Sequence, residues 1–241
     1  MSENFTEAIM PEHTQYLDEY AAFSAEVDGL LQEFAIEGLD KRREHPAFIG
    51  SGLVSDVFLI RGENKNFVAK IPRSYDETTR GLTNLNPNPE VIRDILTTGI
   101  RSKGIPHLEQ IRAVSYEKGV VISELIPGKT VSTLTAEERE KITDEQLKTL
   151  VETFRLAREA GVVPELENPD NMLYDPVEGF GIIDLDSVDN NKFRKFGFVA
   201  LGEQFDIDCV SRAVCCNVTD NVQQRILSSR VTAAFSASDT R

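Results

Sequence analysis

The sequence predicts an α+β fold, because strand patterns and helix patterns occupy separate stretches of the chain. Between residues 48 and 72, apolar and β-branched residues form short runs separated by turn signals, which predicts three strands. Residues 13–34 and 144–160 instead carry apolar residues at steps of three and four, the spacing of an amphipathic helix. Two further short strands, at 172–174 and 181–183, flank an acidic turn.

The composition argues against several classes of function. The chain has 241 residues, of which 26 are basic and 40 acidic, so its formal net charge is −14. A charge of this sign opposes broad attraction to nucleic acid or to an anionic membrane surface. The first residues lack the features of a secretory signal peptide, and no run approaches the roughly 18 apolar residues of a membrane span. We therefore expect a cytoplasmic protein that binds neither nucleic acid nor membrane.

Three cysteines, Cys209, Cys215 and Cys216, cluster near the end of the chain. The adjacent pair is not a common metal-ligand spacing, and no histidine lies nearby. The pattern predicts reduced cysteines packed among helices, which is typical of a reducing compartment.

The predicted helix at residues 13–34, which ends at Gly38, has two interpretations. Its apolar stripe favours a helix that packs on the domain that follows. The alternative is a helix that docks a partner protein or acts as a regulatory cap.

A glycine turn joins the first two predicted strands. Gly50, Ser51 and Gly52 form this turn, and Val57 lies on the strand that follows. Glycines allow the backbone to approach a polyphosphate closely and to aim its amides at it. The third strand carries Lys70 in a Val-Ala-Lys triplet. The turn is therefore a candidate phosphate-binding site.

The middle of the chain alternates between loop, helix and strand signals. Residues 73–89 are polar and rich in Asn and Pro, which predicts a loop, and Pro89 suits the first turn of a helix over 90–96. Strands are predicted at 108–115 and 119–124. The Gly-Lys-Thr triplet at 128–130 is not a P-loop, because Ser123 stands at the first motif glycine and Pro127 removes an amide donor.

The two strands at 172–174 and 181–183 present a pair of oxygen ligands. Asn171 precedes the first strand and Asp184 follows the second, so the two residues are expected at neighbouring strand ends. An amide oxygen and a carboxylate together form a hard-oxygen site, which holds Mg²⁺ with substrate phosphates and water as the remaining ligands. The stretch around Asn171 and Asp184 is thus the predicted centre of the protein's chemistry.

These motifs, in this order, resemble the protein kinase-like superfamily, with some similarity to choline and aminoglycoside kinase-like proteins. The resemblance covers residues 48 to about 215. It implies a bilobal fold with ATP between a small β-rich N-lobe and a reduced helical C-lobe. The implied boundaries are a helical extension at 1–45, the N-lobe at 46–126, and the C-lobe with a short tail at 127–241. Because few residues follow Asp186 and no Ala-Pro-Glu motif is present, the chain also resembles minimal kinases that lack the activation segment.

The resemblance assigns a role to each motif. Lys70 pairs with the phosphates of ATP, and a carboxylate on the 90–96 helix, Glu90 or else Asp94, holds that lysine. Asn171 and Asp184 hold Mg²⁺, with Asp186 as a further metal or structural residue. The residues implied to surround the nucleotide are Gly50, Ser51, Gly52, Val57, Lys70, Glu90, Glu124 and Ile126, of which Glu124 and Ile126 contribute backbone groups to adenine.

The chain departs from the kinase pattern at the catalytic base. Kinases carry that base as an Asp five residues before the metal-binding Asn, with a His two residues earlier. Counting back from Asn171 reaches Leu166 and Pro164, neither of which can accept a proton. Glu165 is one residue further back, and a one-residue insertion after it lets its longer side chain reach the same position.

The last part of the chain has two local predictions. A helix is predicted at 205–214, with Asp206 either as its N-cap or, by the resemblance, capping amides of the catalytic loop. Residues 228–241, rich in Ser, Ala and Thr, are predicted to form a partly frayed tail.

The expected function is phosphoryl transfer from ATP, with Mg²⁺, to a Ser or Thr of a protein substrate. A small-molecule kinase is one alternative, suggested by the Ile-Pro-Gly sequence at 126–128, although the short C-terminal part leaves little chain for its substrate pocket. A pseudokinase that serves as a nucleotide-binding or interaction module is another, because Pro164 and Leu166 replace catalytic residues. Transfer of AMP on the same fold is a third.

Overall fold

The computed structural model of the chain describes residues 11–37, 39–51, 55–62, 65–72, 74–76, 81–83, 89–164, 168–187 and 202–238. These residues form a mixture of helices and antiparallel sheets, so the predicted α+β class is confirmed. The chain forms two compact units. The N-terminal unit contains residues 1–100 and 110–125, and the C-terminal unit contains residues 101–109 and 126–241.

The described part of the N-terminal unit contains a five-stranded sheet with helices against it and a short two-stranded hairpin. Its helices are α1 (Pro11–Glu19), α2 (Ser24–Glu37) and most of α3 (Pro89–Ser102), with 3-10 turns at Tyr20–Ala22 and Leu39–Glu44. Its strands are β1 (Phe48–Ser51), β2 (Ser55–Arg61), β3 (Asn66–Pro72), β4 (Ser74–Asp76), β5 (Gly81–Thr83), β6 (Ile111–Val114) and β7 (Val121–Glu124). The main sheet has the order β1-β2-β3-β7-β6.

Successive side chains of a strand point to opposite faces of the sheet, and these strands have apolar side chains on both faces. Both faces of the sheet are therefore covered. On one face, Phe58 and Ile122 pack with Val27 and other residues of the N-terminal helices. On the other face, Val121 packs with Ile92 of α3. The three strands predicted between residues 48 and 72 are confirmed as β1, β2 and β3.

The predicted N-terminal helix is present but interrupted. A 3-10 turn at Tyr20–Ala22 separates α1 from α2, so the apolar stripe continues although the helix does not. Tyr16, Tyr20, Val27 and Leu30 are buried in the core clusters of the N-terminal unit. The packing of this stripe within the unit agrees with the first interpretation of the helix.

The loop predicted at 73–89 is wrong in part. Strands β4 and β5 pair there as a short antiparallel hairpin, in which Ser74 lies opposite Thr83. Strand pairing uses the hydrogen-bonding groups of the backbone, which every non-proline residue carries, so a polar composition does not prevent it.

The C-terminal unit combines helices with two small sheets. Its helices are α4 (Ala136–Glu140), α5 (Asp144–Glu159), α6 (Gly202–Val214) and α7 (Asn221–Ser238), with 3-10 turns at Val131–Thr133 and Pro169–Asn171. Its strands are β8 (Lys129–Thr130), β9 (Val162–Pro164), β10 (Met172–Asp175), β11 (Gly179–Ile182) and β12 (Leu185–Ser187). One sheet has the order β11-β10-β8, and β9 pairs with β12 in the other. None of the helices in the described residues is long and apolar enough to cross a membrane.

Helix α5 has a capped start and contributes a buried stripe to the core of this unit. Thr143 caps its first turn in a capping box with Gln146, and Thr135 does the same for α4 with Glu138, so the two helices start separately. The buried stripe of α5 contains Leu147, Leu150, Val151 and Phe154, as its spacing predicts.

The frayed tail predicted at 228–241 is wrong over residues 228–238, because α7 continues to Ser238. Leu227, Val231, Ala234 and Phe235 are buried in the core of the C-terminal unit. Their steps of three and four form one face of a helix, which the small polar residues between them conceal.

The prediction that Asp206 is a helix N-cap is also wrong. Helix α6 begins at Gly202, so Asp206 lies inside the helix. The start of a helix is set by its first backbone hydrogen bonds, and the 205–214 pattern missed the preceding residues. The side chain of Asp206 lies outside the described part of the chain.

Gly128 lies where the chain passes very close to a neighbouring strand of the C-terminal unit. It precedes β8, has a φ of 115°, and a Cβ added to it would lie 2.7 Å from the backbone C and O atoms of Tyr174 in β10. The 128–130 triplet thus leads into an edge strand, in agreement with the rejection of a P-loop.

Replacing Gly128 with alanine is expected to lower the free energy of unfolding by about 3 kcal/mol or more, since conformational strain adds to a clash with backbone atoms. Gly104 is a matched control, because its φ is 79° but a Cβ there would meet no atom within 4 Å. Gly104→Ala should therefore cost only the strain, about 1–2 kcal/mol. Urea denaturation measures both, and equal losses would mean that β8 moves away from β10 at little cost.

Candidate functional site

The β10–β11 hairpin brings Asn171 and Asp184 to the same end of one structural element. Met172 pairs with Ile182 in the hairpin, and the Ile183 amide donates a hydrogen bond to the Asn171 carbonyl oxygen at 2.9 Å. The backbone pairing therefore extends one step past the two strands. Asn171 lies directly beside this last hydrogen bond, and Asp184 is the next residue after it.

The Asn171 side chain is buried and oriented by its own turn. It is 6% exposed, and its Oδ1 accepts a hydrogen bond from Asn168 Nδ2 at 3.3 Å. Asn168 Oδ1 also accepts from the Asp170 amide at 3.1 Å, which holds the 3-10 turn. An amide oxygen has two lone pairs, so Asn171 Oδ1 can also contact a cation.

Asp184 has an exposed side chain on a backbone of unusual conformation. Its φ is 62°, in the left-handed region that few residues other than glycine adopt. Its amide donates a hydrogen bond to Glu109 Oε2 at 2.9 Å. The buried strand thus ends in a turn at which Asp184 is exposed.

A second pair of strands flanks this turn. Pro164, the last residue of β9, lies opposite Leu185 in β12, and Val163 lies opposite Asp186. The residue before Glu165 is therefore paired with the residue after Asp184. Glu165 itself lies outside the described residues, as does the Asp186 side chain, so their predicted roles stay predictions.

Asn171 and Asp184 are the described residues that could hold a magnesium ion at this position. Within the described ranges, no group of three or more His, Cys, Asp or Glu residues is placed to hold a metal ion. Mg²⁺ commonly takes one or two carboxylates and completes its shell with phosphate oxygens and water. Asn171 and Asp184 fit that partial donor set.

In the N-terminal unit, the residues around the glycine turn are linked by a buried ion pair. Ser51 lies opposite Asp56, and its hydroxyl donates a hydrogen bond to Asp56 Oδ1 at 2.6 Å. Asp56 also pairs with the buried Arg42 at 3.7 Å, and Arg42 donates to the Pro72 carbonyl oxygen at 3.4 Å. Gly50 and Ser51 thus lie in strand β1 and not in the predicted turn, and Ser51 is linked to β3 through Asp56 and Arg42. Gly52 lies outside the described residues.

Lys70 and Val57 are brought together as cross-strand neighbours. Lys70 on β3 lies opposite Val57 on β2 and opposite Val121 on β7, so all three side chains share one face of the sheet. Val121 packs against Ile92 of α3 on that face. The Glu90 side chain, at the start of α3, lies outside the described part.

Two of the backbone amides at the predicted adenine-binding stretch, near Glu124, already donate hydrogen bonds within the N-terminal unit. The Glu124 amide donates to the Gln110 carbonyl oxygen at 2.9 Å, and the Leu125 amide donates to the Asn66 carbonyl oxygen at 3.1 Å. These two backbone amides are therefore not available to donate hydrogen bonds to adenine.

In the C-terminal unit, Ile126 packs directly on β11. A Cβ added to Gly181 would lie 2.2 Å from Ile126 Cγ2, so the close contact requires glycine there. Ile126 is thereby fixed against the strand that leads to Asp184.

The Glu124 carboxylate lies between two cations. It is bound by Lys65 at 2.5 Å and by Arg112. Burial acts to raise the pKa of Glu124, but the hydrogen bonds from Lys65 and Arg112 outweigh it, so the pKa lies below its ordinary value. Glu124 therefore stabilises the N-terminal unit in its charged form.

This ion pair should make stability depend on pH. Because the folded-state pKa is lowered, the contribution is present above the unfolded pKa of about 4.3 and is lost as the pH falls through the folded value. Glu124→Gln should therefore be less stable than the wild type at pH 7, by about 1 kcal/mol or less because both cations are partly exposed. Urea denaturation across this range checks the sign, and a difference that stays constant on acidification would contradict it.

Sequence reasoning missed Glu109, Asp56 and Arg42. Asp56 left a signal, because strand alternation places it on the same face as the buried Phe58 and Ile60. Glu109 left none, although it lies within the strand predicted at 108–115. No model of a known protein family matches the chain, and a search of curated proteins finds no significant match.

Proposed function

We propose that this chain is an ATP- and Mg²⁺-dependent phosphotransferase of a bilobal, protein kinase-like fold that phosphorylates a protein hydroxyl. The observation that carries the proposal is the β10–β11 hairpin. It ends with the oriented amide of Asn171 on one strand and the exposed carboxylate of Asp184 after the other. Hard-oxygen donors of this kind suit Mg²⁺ in a complex with a nucleotide polyphosphate.

In the proposed reaction, the acceptor hydroxyl oxygen forms a bond to the γ-phosphorus of ATP. The bond from that phosphorus to the β–γ bridging oxygen breaks, and ADP is the leaving group. Asn171 and Asp184 hold the Mg²⁺ that neutralises charge on the phosphates, and Lys70 pairs with the phosphates. Glu165 orients the hydroxyl and takes its proton. Because phosphoryl transfer depends mainly on positioning and charge neutralisation, it can proceed with a weak base.

The pseudokinase alternative is favoured by one specific observation. Pro164, which stands where kinases carry the catalytic His, is part of strand β9 and pairs with Leu185. A proline has no group that can bind a proton in a catalytic step. In this alternative the chain binds nucleotide or a partner protein without transferring phosphate.

The deciding experiment uses ATP labelled separately on the γ- and α-phosphates, with Mg²⁺, generic acceptor proteins and the protein itself. Incorporated γ-label that is lost in Lys70→Ala but kept in Lys148→Ala is the expected result. Lys148 is an exposed lysine on α5 and controls for removal of positive charge. Incorporated α-label would mean AMP transfer. No label, with a thermal shift on adding nucleotide, would favour the pseudokinase.

A further inference from the structure

Glu109 is a buried acidic residue in the C-terminal unit that none of the roles above explains. It is 4% exposed and lies at the end of residues 101–109. The segment around it runs parallel to β11, because Leu108 forms a parallel bridge with Ile182. The Ile182 amide donates to the His107 carbonyl oxygen, and the Glu109 amide donates to the Ile182 carbonyl oxygen, each at 2.8 Å.

The backbone hydrogen bonds of this short parallel ladder end at Glu109. In a ladder that continued, the amide of Asp184 would donate to the backbone carbonyl of Glu109. The Glu109 carbonyl oxygen instead accepts from Ser102 Oγ at 3.4 Å, and the Asp184 amide donates to the Glu109 side chain at 2.9 Å. The carboxylate thus takes the place of the backbone acceptor, and strand geometry ends at Asp184.

Because the Asp184 amide binds the Glu109 side chain and not the Glu109 carbonyl oxygen, the backbone at Asp184 can leave the extended conformation. A residue held in the ladder would keep an extended backbone, whereas Asp184 has a φ of 62°. Glu109 therefore holds the Asp184 amide in place while the backbone turns.

We propose that Glu109 is a positioning residue for Asp184: its buried carboxylate holds the Asp184 amide and thereby fixes the turn that presents the Asp184 carboxylate to a metal–nucleotide complex. The metal part of this inference rests on the proposed function. The contact between Glu109 and the amide is a feature of the fold and can be tested separately. Groups that orient metal ligands commonly change metal affinity or activity by about 10–100-fold when they are removed.

The test compares three variants of the full chain. Glu109→Gln keeps an acceptor oxygen at the same distance, Glu109→Asp keeps the charge but withdraws the carboxylate by one methylene, and Glu109→Leu removes the acceptor. Two quantities are measured: the hydrogen-exchange rate of the Asp184 amide, and the affinity for Mn²⁺ with ADP by electron paramagnetic resonance. Glu109→Asp guards against a Leu variant that does not fold, and thermal melting checks folding in each case.

The expected result is faster exchange of the Asp184 amide and roughly 10–100-fold weaker Mn²⁺ binding in Glu109→Leu and Glu109→Asp. Glu109→Gln should stay close to the wild type in both. Wild-type Mn²⁺ affinity and Asp184 exchange in a folded Glu109→Asp variant would overturn the inference. If the wild type binds no Mn²⁺ with ADP but its Asp184 amide is protected by Glu109, the metal role and the proposed function fail together while the contact stands.

Discussion

Replacing Asp184 with asparagine is expected to slow phosphoryl transfer by about 10²–10³-fold or more, the loss seen when a preorganised charge-stabilising group is removed. The substitution replaces a carboxylate with a neutral amide of nearly the same shape. Asparagine also tolerates the left-handed backbone conformation that residue 184 adopts, with a φ of 62°. The turn should therefore survive, so that the loss reports the missing charge on the metal.

The control for this experiment is Asp175→Asn. Asp175 lies at the other end of the β10–β11 hairpin, where its carboxylate accepts the amides of Val177 and Glu178 at 2.8 and 3.0 Å. Both hydrogen bonds end on Asp175 Oδ1, and asparagine keeps an oxygen at that position that can accept them. Initial rates with γ-labelled ATP should be normal in the control. If Asp184→Asn were as active as Asp175→Asn, Asp184 would not be a metal ligand.

Replacing Arg139 with methionine is expected to lower the free energy of unfolding by about 3–5 kcal/mol. Arg139, on α4, is 2% exposed, and its guanidinium donates to the carbonyl oxygens of Val131, Val214 and Cys216, at 2.8 Å in the first case. Val214 is the last residue of α6, so the cation lies at a helix C-terminus, where the helix dipole favours positive charge. Burial lowers the pKa of Arg139, which shows that the charge is carried at a desolvation cost.

Methionine fills part of the volume but donates no hydrogen bond, so three carbonyl groups each lose one hydrogen bond at once. Arg155→Met is the matched control, because Arg155 is exposed on α5, where it pairs with Glu152 at 2.6 Å and with Glu159. Surface pairs of this kind contribute little, so the control should change stability by about 0.5 kcal/mol or less. Urea denaturation followed by circular dichroism measures both. A loss for Arg139→Met no larger than that of the control would show that water replaces the arginine.

Local patterns in the sequence predicted most of the regular structure. The strands β1, β2 and β3 and the buried stripe of α5 follow from alternation and from steps of three and four, because the periodicity of an element is a property of neighbouring residues. The errors have the same origin. The face formed by Leu227, Val231 and Phe235 was hidden among small polar residues, and the β4–β5 pairing depends on backbone groups that composition does not reveal.

The candidate site was predictable in its chemistry but only in part in its geometry. Asn171, Asp184 and Lys70 are residue types that suit magnesium and phosphate, and their order along the chain suggested a function. The hairpin that unites Asn171 with Asp184 could be inferred from two strands joined by a tight turn. The acceptor that holds the Asp184 amide could not, since it comes from the 101–109 segment.

Most helices and strands, and the side chains that carry ligand chemistry, could be predicted from neighbouring residues, since both depend on local identity and spacing. Which polar side chains are buried, and which groups they contact, depends instead on the packing of segments that are far apart in the chain. Glu109 contacts Asp184, and Arg139 contacts Val214, each across 75 residues of chain. Such pairs form only when distant segments pack, and a buried charge is tolerated only where those segments supply its hydrogen-bond partners.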